Sequence, residues 1–249
     1  MTSATASLAA HLLSVRKGVS APLTQVPTDL VPTMVTEAYA VQNSVAAALG
    51  PVRGWKVGAS SPEAEPSAAP LHEDTLFPDG AIIPADFLRH RGVETEIAWR
   101  FAHDVGDTIT RETVLNAIGS VHPVIEIVDT RYERPASQPS LAHMADQQSH
   151  GALVVGAAFS HWKTFDPASE HFVLRIDHRQ TAERIGGNAA GDPLRLLVWL
   201  ARHAAERGLP ITAGTIVTTG SLSGATFVPH RTHVSACFDT LGSVSAFLA

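Results

Sequence analysis

The chain has a single cysteine, Cys237, in 249 residues. An internal disulfide and a cysteine-built zinc cluster are therefore excluded. No apolar run approaches the roughly 20 residues that a membrane-spanning helix needs. The first residues, Met1-Thr-Ser-Ala-Thr, lack the basic stretch of a signal peptide, so the expected location is cytoplasmic. Positive charge is scarce. Lys and Arg number 18 against 24 Asp and Glu, a net charge of −6, which argues against a nucleic-acid partner. Several catalytic signatures are missing too. Gly220-Ser-Leu-Ser-Gly224 has leucine at its centre and is not a Gly-x-Ser-x-Gly nucleophile elbow. The glycines at 186, 187 and 191 do not match the dinucleotide fingerprint. There is no Walker A lysine, no His-Glu-x-x-His pair, no internal repeat and no low-complexity tract.

What is present suits one well-buried unit: 45% of the residues are hydrophobic and 17% charged. Residues 1–51 read as an N-terminal helical region. Leu8 to Val15 is apolar-rich, with Arg16 and Lys17 at its C-terminal end and Gly18 as a stop. From Thr33 to Leu49, the residues Val35, Ala38, Val41 or Gln42, Val45 and Leu49 share one face, and Gly50-Pro51 ends the run. Residues 52–249 read as a single catalytic unit of short strands, with candidates at 54–58, 94–101, 124–128, 152–159, 171–177, 214–219, 232–238 and 242–248. Two helices interrupt them. Thr110 to Ile118 is short. Asp192 to Arg207 has an Asp N-cap, Pro193 at its first position, Gly208 after its last turn, and an apolar stripe of Leu194, Leu197, Val198, Ala201 and Ala204. Many strands with no βαβ alternation predict an α+β fold. Ser60 to Pro70 reads as a mobile loop and a lid candidate, and Cys237 as a small core residue.

Three carboxylates stand where charge is costly. Glu94 and Glu96 lie two apart in a predicted strand and so share a face. Glu126 sits between apolar neighbours in Val124-Ile-Glu-Ile-Val128, and a buried carboxylate needs a partner. Glu94 and Glu96 alone fit a solvated strand face equally well. With Glu126, a hard divalent cation would serve all three, Mg²⁺ or Mn²⁺ before Zn²⁺ because no histidine is in the set. Asp129 and Arg131 read as a mutual pair. Lys56, between glycines 54 and 58, is either an edge lysine facing water or a desolvated base. Gly58 would let a ligand approach the backbone. Asp146 to Gly151, at the entrance of a strand, reads as a site wall or as an ordinary turn.

The order of these motifs resembles the fumarylacetoacetate hydrolase superfamily: Gly-Trp-Lys-Val-Gly, Val-Glu-Thr-Glu-Ile-Ala, Val-Ile-Glu-Ile-Val-Asp-Thr-Arg, Ala-Asp-Gln-Gln-Ser, and later Ala-Gly-Thr-Ile-Val-Thr-Thr-Gly-Ser. Within it the chain is most similar to the 2-keto-4-pentenoate hydratase and 4-oxalocrotonate decarboxylase branch, from about residue 35 onward. The resemblance implies a mixed β-roll of the family's C-terminal type behind an N-terminal helical region. It implies Mg²⁺ or Mn²⁺ on Glu94, Glu96 and Glu126, and a 2-oxo acid substrate. Lys56 would be the catalytic lysine, and Ser149, with Gly58 and Asp146, would contact substrate. It also implies a homo-oligomer, a dimer or larger, with a pathway enzyme as a further partner.

The activity so implied is hydration of 2-hydroxypenta-2,4-dienoate to 4-hydroxy-2-oxopentanoate in aromatic catabolism. The alternatives are a 4-oxalocrotonate-type decarboxylase, an acylpyruvate-type C–C hydrolase and a non-catalytic paralogue. A decarboxylase would need a donor for a second carboxylate, for which His72, His150 and Arg53 are candidates. The chain also departs from the pattern: the acidic residue usual after the lysine is absent, leaving His72, Glu73 or Asp74 as substitutes.

Overall fold

Apolar spacing in the first fifty residues produces two helices in the computed structural model, which describes residues 3–249. Met1 and Thr2, on which part of the signal-peptide and 1–51 readings falls, lie outside the described residues. Helix α1 (Ser3–Arg16) buries Leu8, Leu12 and Val15. Helix α2 (Val35–Leu49) buries Ala38, Val41, Gln42, Val45 and Ala46. Its N-terminal amides are met by Glu37, whose Oε2 accepts from the backbone N–H of Thr33 at 2.8 Å and of Met34 at 3.3 Å. The buried face is turned slightly from the expected one, and Val35 is exposed.

The rest of the chain is strand-rich. In order come β1 (Val52–Gly58), β2 (Ser67–His72), β3 (Leu76–Pro78), β4 (Ala81–Ile83), β5 (Gly92–Phe101), α3 (Arg111–Ala117), β6 (Ile118–Val128), α4 (Ser140–Ala145) and β7 (His150–Val155). Then follow β8 (His171–Ile176), β9 (Arg179–Ile185), α5 (Pro193–Glu206), β10 (Ile216–Thr218), β11 (Thr226–Phe227), β12 (Thr232–Phe238) and β13 (Gly242–Leu248). They build two mixed sheets, an α+β architecture. One has eight strands ordered β2-β1-β10-β5-β6-β7-β3, with β11 also on β5; the other has five, ordered β4-β13-β12-β8-β9.

The two sheets enclose the main core, where Ile97, Trp99, Ile125 and Ile127 join Val234, Ala236, Val244 and Ala246. Each fully buried valine or isoleucine among them contributes about 1.5–3 kcal/mol. The period of two along β5 has a consequence. Ile97 and Trp99 point into this core, so Glu94, Glu96 and Ala98 point to the opposite face, beside Val124 and Leu153. Helices α1, α2 and α4 form a separate cluster through Leu8, Leu12, Ala38, Val41, Ala142 and Ala145, joined by Tyr132.

Four local expectations are corrected. Ser67 to Pro70 is not a mobile loop: it belongs to β2, which pairs antiparallel with β1. Only the segment before it is loop, and Arg195 fastens that segment by donating from Nη2 to the carbonyl of Ser61 at 2.8 Å. Cys237 is exposed, because the alternation of β12 turns Val234, Ala236 and Phe238 inward. In α5 the buried face is Leu196, Leu197, Leu200, Ala201 and Ala204, with Leu194 and Val198 only half-buried. Arg131 pairs with Asp146 rather than Asp129, whose Oδ1 instead accepts from the His90 backbone N–H.

Candidate active site

Strand register brings the three glutamates together. Glu94 stands directly opposite Glu126 in the β5–β6 ladder, and Glu96 lies two residues further on the same face. One carboxylate oxygen from each lies within 4.8 Å of the others. Glu96 and Glu126 are buried, and Glu94 is half-buried at the mouth of the cluster.

Each carboxylate is held differently. Glu96 Oε2 accepts from the Gly220 backbone N–H at 3.1 Å and from the Thr218 hydroxyl. Both donors come from β10 and the turn after it, which lies beside β5. Glu126 Oε1 accepts from Lys56 Nζ at 2.7 Å and faces His150 Nδ1 at 3.0 Å. Its Oε2 is buried and, among the described residues, has no hydrogen-bond partner. Burial and the charges of Glu126 and Glu94 push the Glu96 carboxyl up to about 8. Burial, with Glu126, also raises Glu94. Burial pushes Glu126 up too, but the Lys56 charge and the His150 bond outweigh it and bring the carboxyl down to about 2.

Lys56 reaches this cluster from β1, two strands away across β10. Its Nζ donates to Glu126 and to the carbonyl of Gln148 at 3.2 Å. Burial pulls its pKa down, yet the three glutamates outweigh burial and the net shift is upward. Of the two alternatives read from the sequence, the desolvated base expected the opposite direction. The flanking glycines also divide their roles. A Cβ on Gly54 would lie 2.7 Å from the carbonyl oxygen of Ile216, so Gly54 serves the close approach of β10. Gly58 is open, at the end of β1 opposite Ser67.

The turn before β7 is unusual. Gln147, Gln148 and Ser149 all have positive φ, at 49°, 50° and 56°. Left-handed backbone at a residue other than glycine costs on the order of 1–3 kcal/mol and persists only where the surroundings impose it. Arg131 imposes it. Its Nε donates to Asp146 Oδ1 at 2.5 Å, one Nη to the Asp146 carbonyl and the other to the His150 carbonyl, each at 2.8 Å. Asp146 Oδ2 takes the Thr130 hydroxyl at 2.7 Å and the Arg131 N–H at 3.0 Å. Both oxygens of Asp146 are thus occupied in holding the turn. The turn delivers the Gln148 carbonyl to Lys56, and Ser149 Oγ to within 3.1 Å of His143 Nδ1.

A cleft of about 450 Å³ opens over Lys56 and Glu94, lined also by Ser67, Ser140, His143, Met144 and Gln148. Ser67, not His72, Glu73 or Asp74, is the polar side chain that this segment sends to the cleft. His72 Nδ1 is buried against the carbonyl of Gly50, Glu73 pairs with Arg53 at the surface, and Asp74 lines a different cavity. None of His72, His150 and Arg53 lines the cleft. His150 instead lies behind Glu126, its Nε2 2.9 Å from Thr75 Oγ1. Burial lowers its pKa to about 4, so the ring is neutral near pH 7. Sequence reasoning missed His143, Ser67, Thr218 and the Gly220 amide, because each comes from an element whose approach to β5 and β6 is set only by tertiary structure.

An orphaned buried oxygen on Glu126, within a set of carboxylate ligands only, fits a hard divalent cation. Comparison with known proteins agrees with this chemistry. A 4-oxalocrotonate decarboxylase from Pseudomonas putida G7, solved with magnesium and adipate, superposes with a TM-score of 0.84 at 26% identity, over 97% of this chain and 96% of that one. The same enzyme solved with calcium and acetate gives 0.81 at 27% identity. The 2-keto-4-pentenoate hydratase of Paraburkholderia xenovorans is 30% identical over 78% of this chain and 77% of its own. The 4-oxalocrotonate decarboxylase of Pseudomonas putida is 30% identical over 68% of this chain and 64% of its own length. Residues 42–248 match the fumarylacetoacetate hydrolase C-terminal family, and the chain belongs to that family.

Proposed function

We propose that the protein is a metal-dependent hydro-lyase that hydrates 2-hydroxypenta-2,4-dienoate to 4-hydroxy-2-oxopentanoate. The observation that carries this reading is the Glu94–Glu96–Glu126 cluster with Lys56 at its edge, at the bottom of an open cleft. Glu94, Glu96 and Glu126 would hold Mg²⁺ or Mn²⁺. Bound there, the ion supplies a Lewis acid for the carboxylate and 2-oxo oxygens of a substrate and offsets the negative field that keeps Lys56 charged. The substrate head then lies at the floor of the cleft and its chain points to the mouth.

Lys56 does the proton work at the head. It accepts the proton of the C2 hydroxyl while C5 takes one from solvent, which leaves a conjugated 2-oxo-3-enoate. Water adds at C4 and releases one proton to solvent, the C3–C4 π pair shifts so that the negative charge rests on the C2 oxygen as an enolate, and the Lys56 ammonium returns a proton to C3. The Gln148 carbonyl keeps the amine aimed at the cleft throughout. Ser149 and Gly58 would bound the substrate, with Asp146 acting through the turn it fixes.

Decarboxylation of a 2-oxo-enedioate is the second reading, favoured by the relatives with that activity. Against it, among the described residues the cleft lining carries no arginine and no lysine besides Lys56, which leaves His143 as the one further ionisable donor for a second carboxylate. The test is to supply each substrate class with Mg²⁺ and identify products by NMR. Formation of 4-hydroxy-2-oxopentanoate supports hydration. Release of CO₂ from an enedioate, with no turnover of the dienoate, would reverse the order of the two readings. The reading extends to a cytoplasmic homo-oligomer that works beside a pathway enzyme, a state that light scattering measures.

A further inference from the structure

We infer that His143 is the base that takes the proton from water at the open end of the cleft, with Ser149 holding its ring. This rests on the hydration reading and adds to it a second proton-transfer group.

The site has a floor and a mouth. Glu96 and Glu126 are buried, and Lys56, with 14% of its side chain exposed, lies against them. His143 lines the same cleft but is exposed, so it stands at the mouth. A substrate held by its carboxylate and 2-oxo oxygens at the floor extends C3, C4 and C5 towards the mouth. The atom that water attacks is therefore at the His143 end, while the oxygen that Lys56 serves is at the other.

Few groups at that end can accept a proton. Of the side chains lining the cleft, only Lys56, Glu94 and His143 carry titratable groups. Glu94 belongs to the carboxylate cluster, and when water adds Lys56 already carries the proton taken from the C2 hydroxyl. Ser67 Oγ already accepts from Gln148 Nε2 at 2.7 Å. His143 remains.

Its ring is fixed for the task. His143 lies on α4, and its Nδ1 is 3.1 Å from Ser149 Oγ. With Nδ1–H donated to that oxygen, Nε2 carries the lone pair, and among the described residues it has no protein partner. Ser149 is immobilised by the left-handed turn that the Arg131–Asp146 pair pins. The charges around the ring are Lys56, Asp146, Arg131 and Glu126; partial desolvation of the ring against α4 and the turn, with Lys56 next, lowers its pKa.

The step balances. As the water oxygen bonds to C4, one O–H bond of that water breaks and its proton passes to Nε2. The C3–C4 π pair becomes the enolate on the C2 oxygen. Protonation of C3 by the Lys56 ammonium restores the ketone and the neutral amine with which the cycle began, and the imidazolium returns its proton to solvent, replacing the one taken up at C5. No oxidant or reductant enters.

His143→Asn tests this most directly, because its side-chain amide keeps a donor near the Nδ1 position while removing the base. His143→Gln is the second variant. Dienoate hydration is measured with Mg²⁺, and Mn²⁺ and oxalate affinities report the floor of the site. The expected result is a kcat lower by about 10²-fold or more in both variants, with Mn²⁺ and oxalate affinities within about threefold of the parent. A kcat within about threefold of the parent, in either variant that binds Mn²⁺, overturns the inference. So does a loss seen only as a raised KM for substrates with a second carboxylate, since that marks a tail-binding residue. If the parent protein binds Mn²⁺ but hydrates no dienoate, the hydration reading fails, and the His143 step fails with it. Hydration retained in the parent and in both variants removes His143 alone.

Discussion

Lys56 Nζ lies 2.7 Å from Glu126 Oε1, while Oε2 of the same carboxylate is buried and meets no donor among the described residues. One oxygen is thus tied to the lysine and the other is free for a cation. The two residues should separate in experiment. Lys56→Ala is expected to lower kcat by about 10²-fold or more and to leave Mn²⁺ bound. Glu126→Ala is expected to abolish Mn²⁺ binding measurable by calorimetry, because it removes a ligand outright. Full metal-dependent activity in Glu126→Ala would contradict the placement of the site.

The pH dependence follows from Glu96 and Glu94, both raised by burial and by the Glu126 charge, with Glu94 raising Glu96 further. A carboxyl whose folded pKa lies above its unfolded value favours folding below the unfolded pKa. That contribution is lost as pH rises through the folded value, here about 8 for Glu96. Glu126 is held down at about 2 and stays ionised across this window. Above about pH 6.5, where the buried histidines are neutral in both states, the metal-free protein should therefore lose stability up to about pH 8, by up to about 1.4 kcal/mol per pH unit for each proton retained. Metal binding needs the same carboxylates deprotonated, so Mg²⁺ affinity should rise over the same range with release of protons. Thermal melts in EDTA and in Mg²⁺ at several pH values check both signs. A metal-free Tm that rises with pH across this window contradicts them.

His150 stands behind Glu126 as its second donor, with Thr75 Oγ1 against its other nitrogen. Partners of this kind orient a ligand, and losing one typically costs about 10–100-fold in metal affinity. His150→Phe should weaken Mn²⁺ binding by that order. His150→Asn, which keeps a donor near Nδ1, should recover most of it. Calorimetric titration of the two variants distinguishes them; equal affinities would mean that the bond to Glu126 does not position the carboxylate.

The buried Arg131–Asp146 pair is expected to matter for folding before chemistry. Removing one partner leaves an uncompensated buried charge, at a cost of about 3–5 kcal/mol. Asp146→Ala should unfold at markedly lower denaturant concentration than the parent, read by equilibrium denaturation. A change below about 1 kcal/mol would show that the left-handed turn at Gln147–Ser149 is held by something else.

Much of this was legible in the sequence, and the reasons differ from element to element. β12 and β13 match their expected spans at 232–238 and 242–248, because short apolar runs there are bounded by turn residues. Helix α5 announces itself through Asp192, whose Oδ1 accepts from the Leu194 N–H at 2.8 Å, and through Pro193. The shared face of Glu94 and Glu96 follows from the period of a strand, but their meeting with Glu126 is a matter of register, to which local pattern is blind. β2 was missed because Ser67-Ala-Ala-Pro-Leu-His72 has the composition of a loop; its pairing with β1 overrides that composition. The upward shift of Lys56 was missed for a related reason: burial can be read locally, whereas the sum of three carboxylate charges cannot. His143 carries no local signal at all, since it acquires its neighbours only when α4 and the turn after it fold onto the cleft.

Metal-dependent hydration is the central claim, and the loss of 2-hydroxypenta-2,4-dienoate followed by ultraviolet absorbance tests it most directly. The protein is stripped with EDTA, assayed, and assayed again after Mg²⁺ or Mn²⁺ is restored. The account predicts negligible loss of the dienoate after stripping, full recovery with either ion, and no recovery in Glu126→Ala. Turnover that survives EDTA, or none on dienoates with any divalent ion, would contradict it.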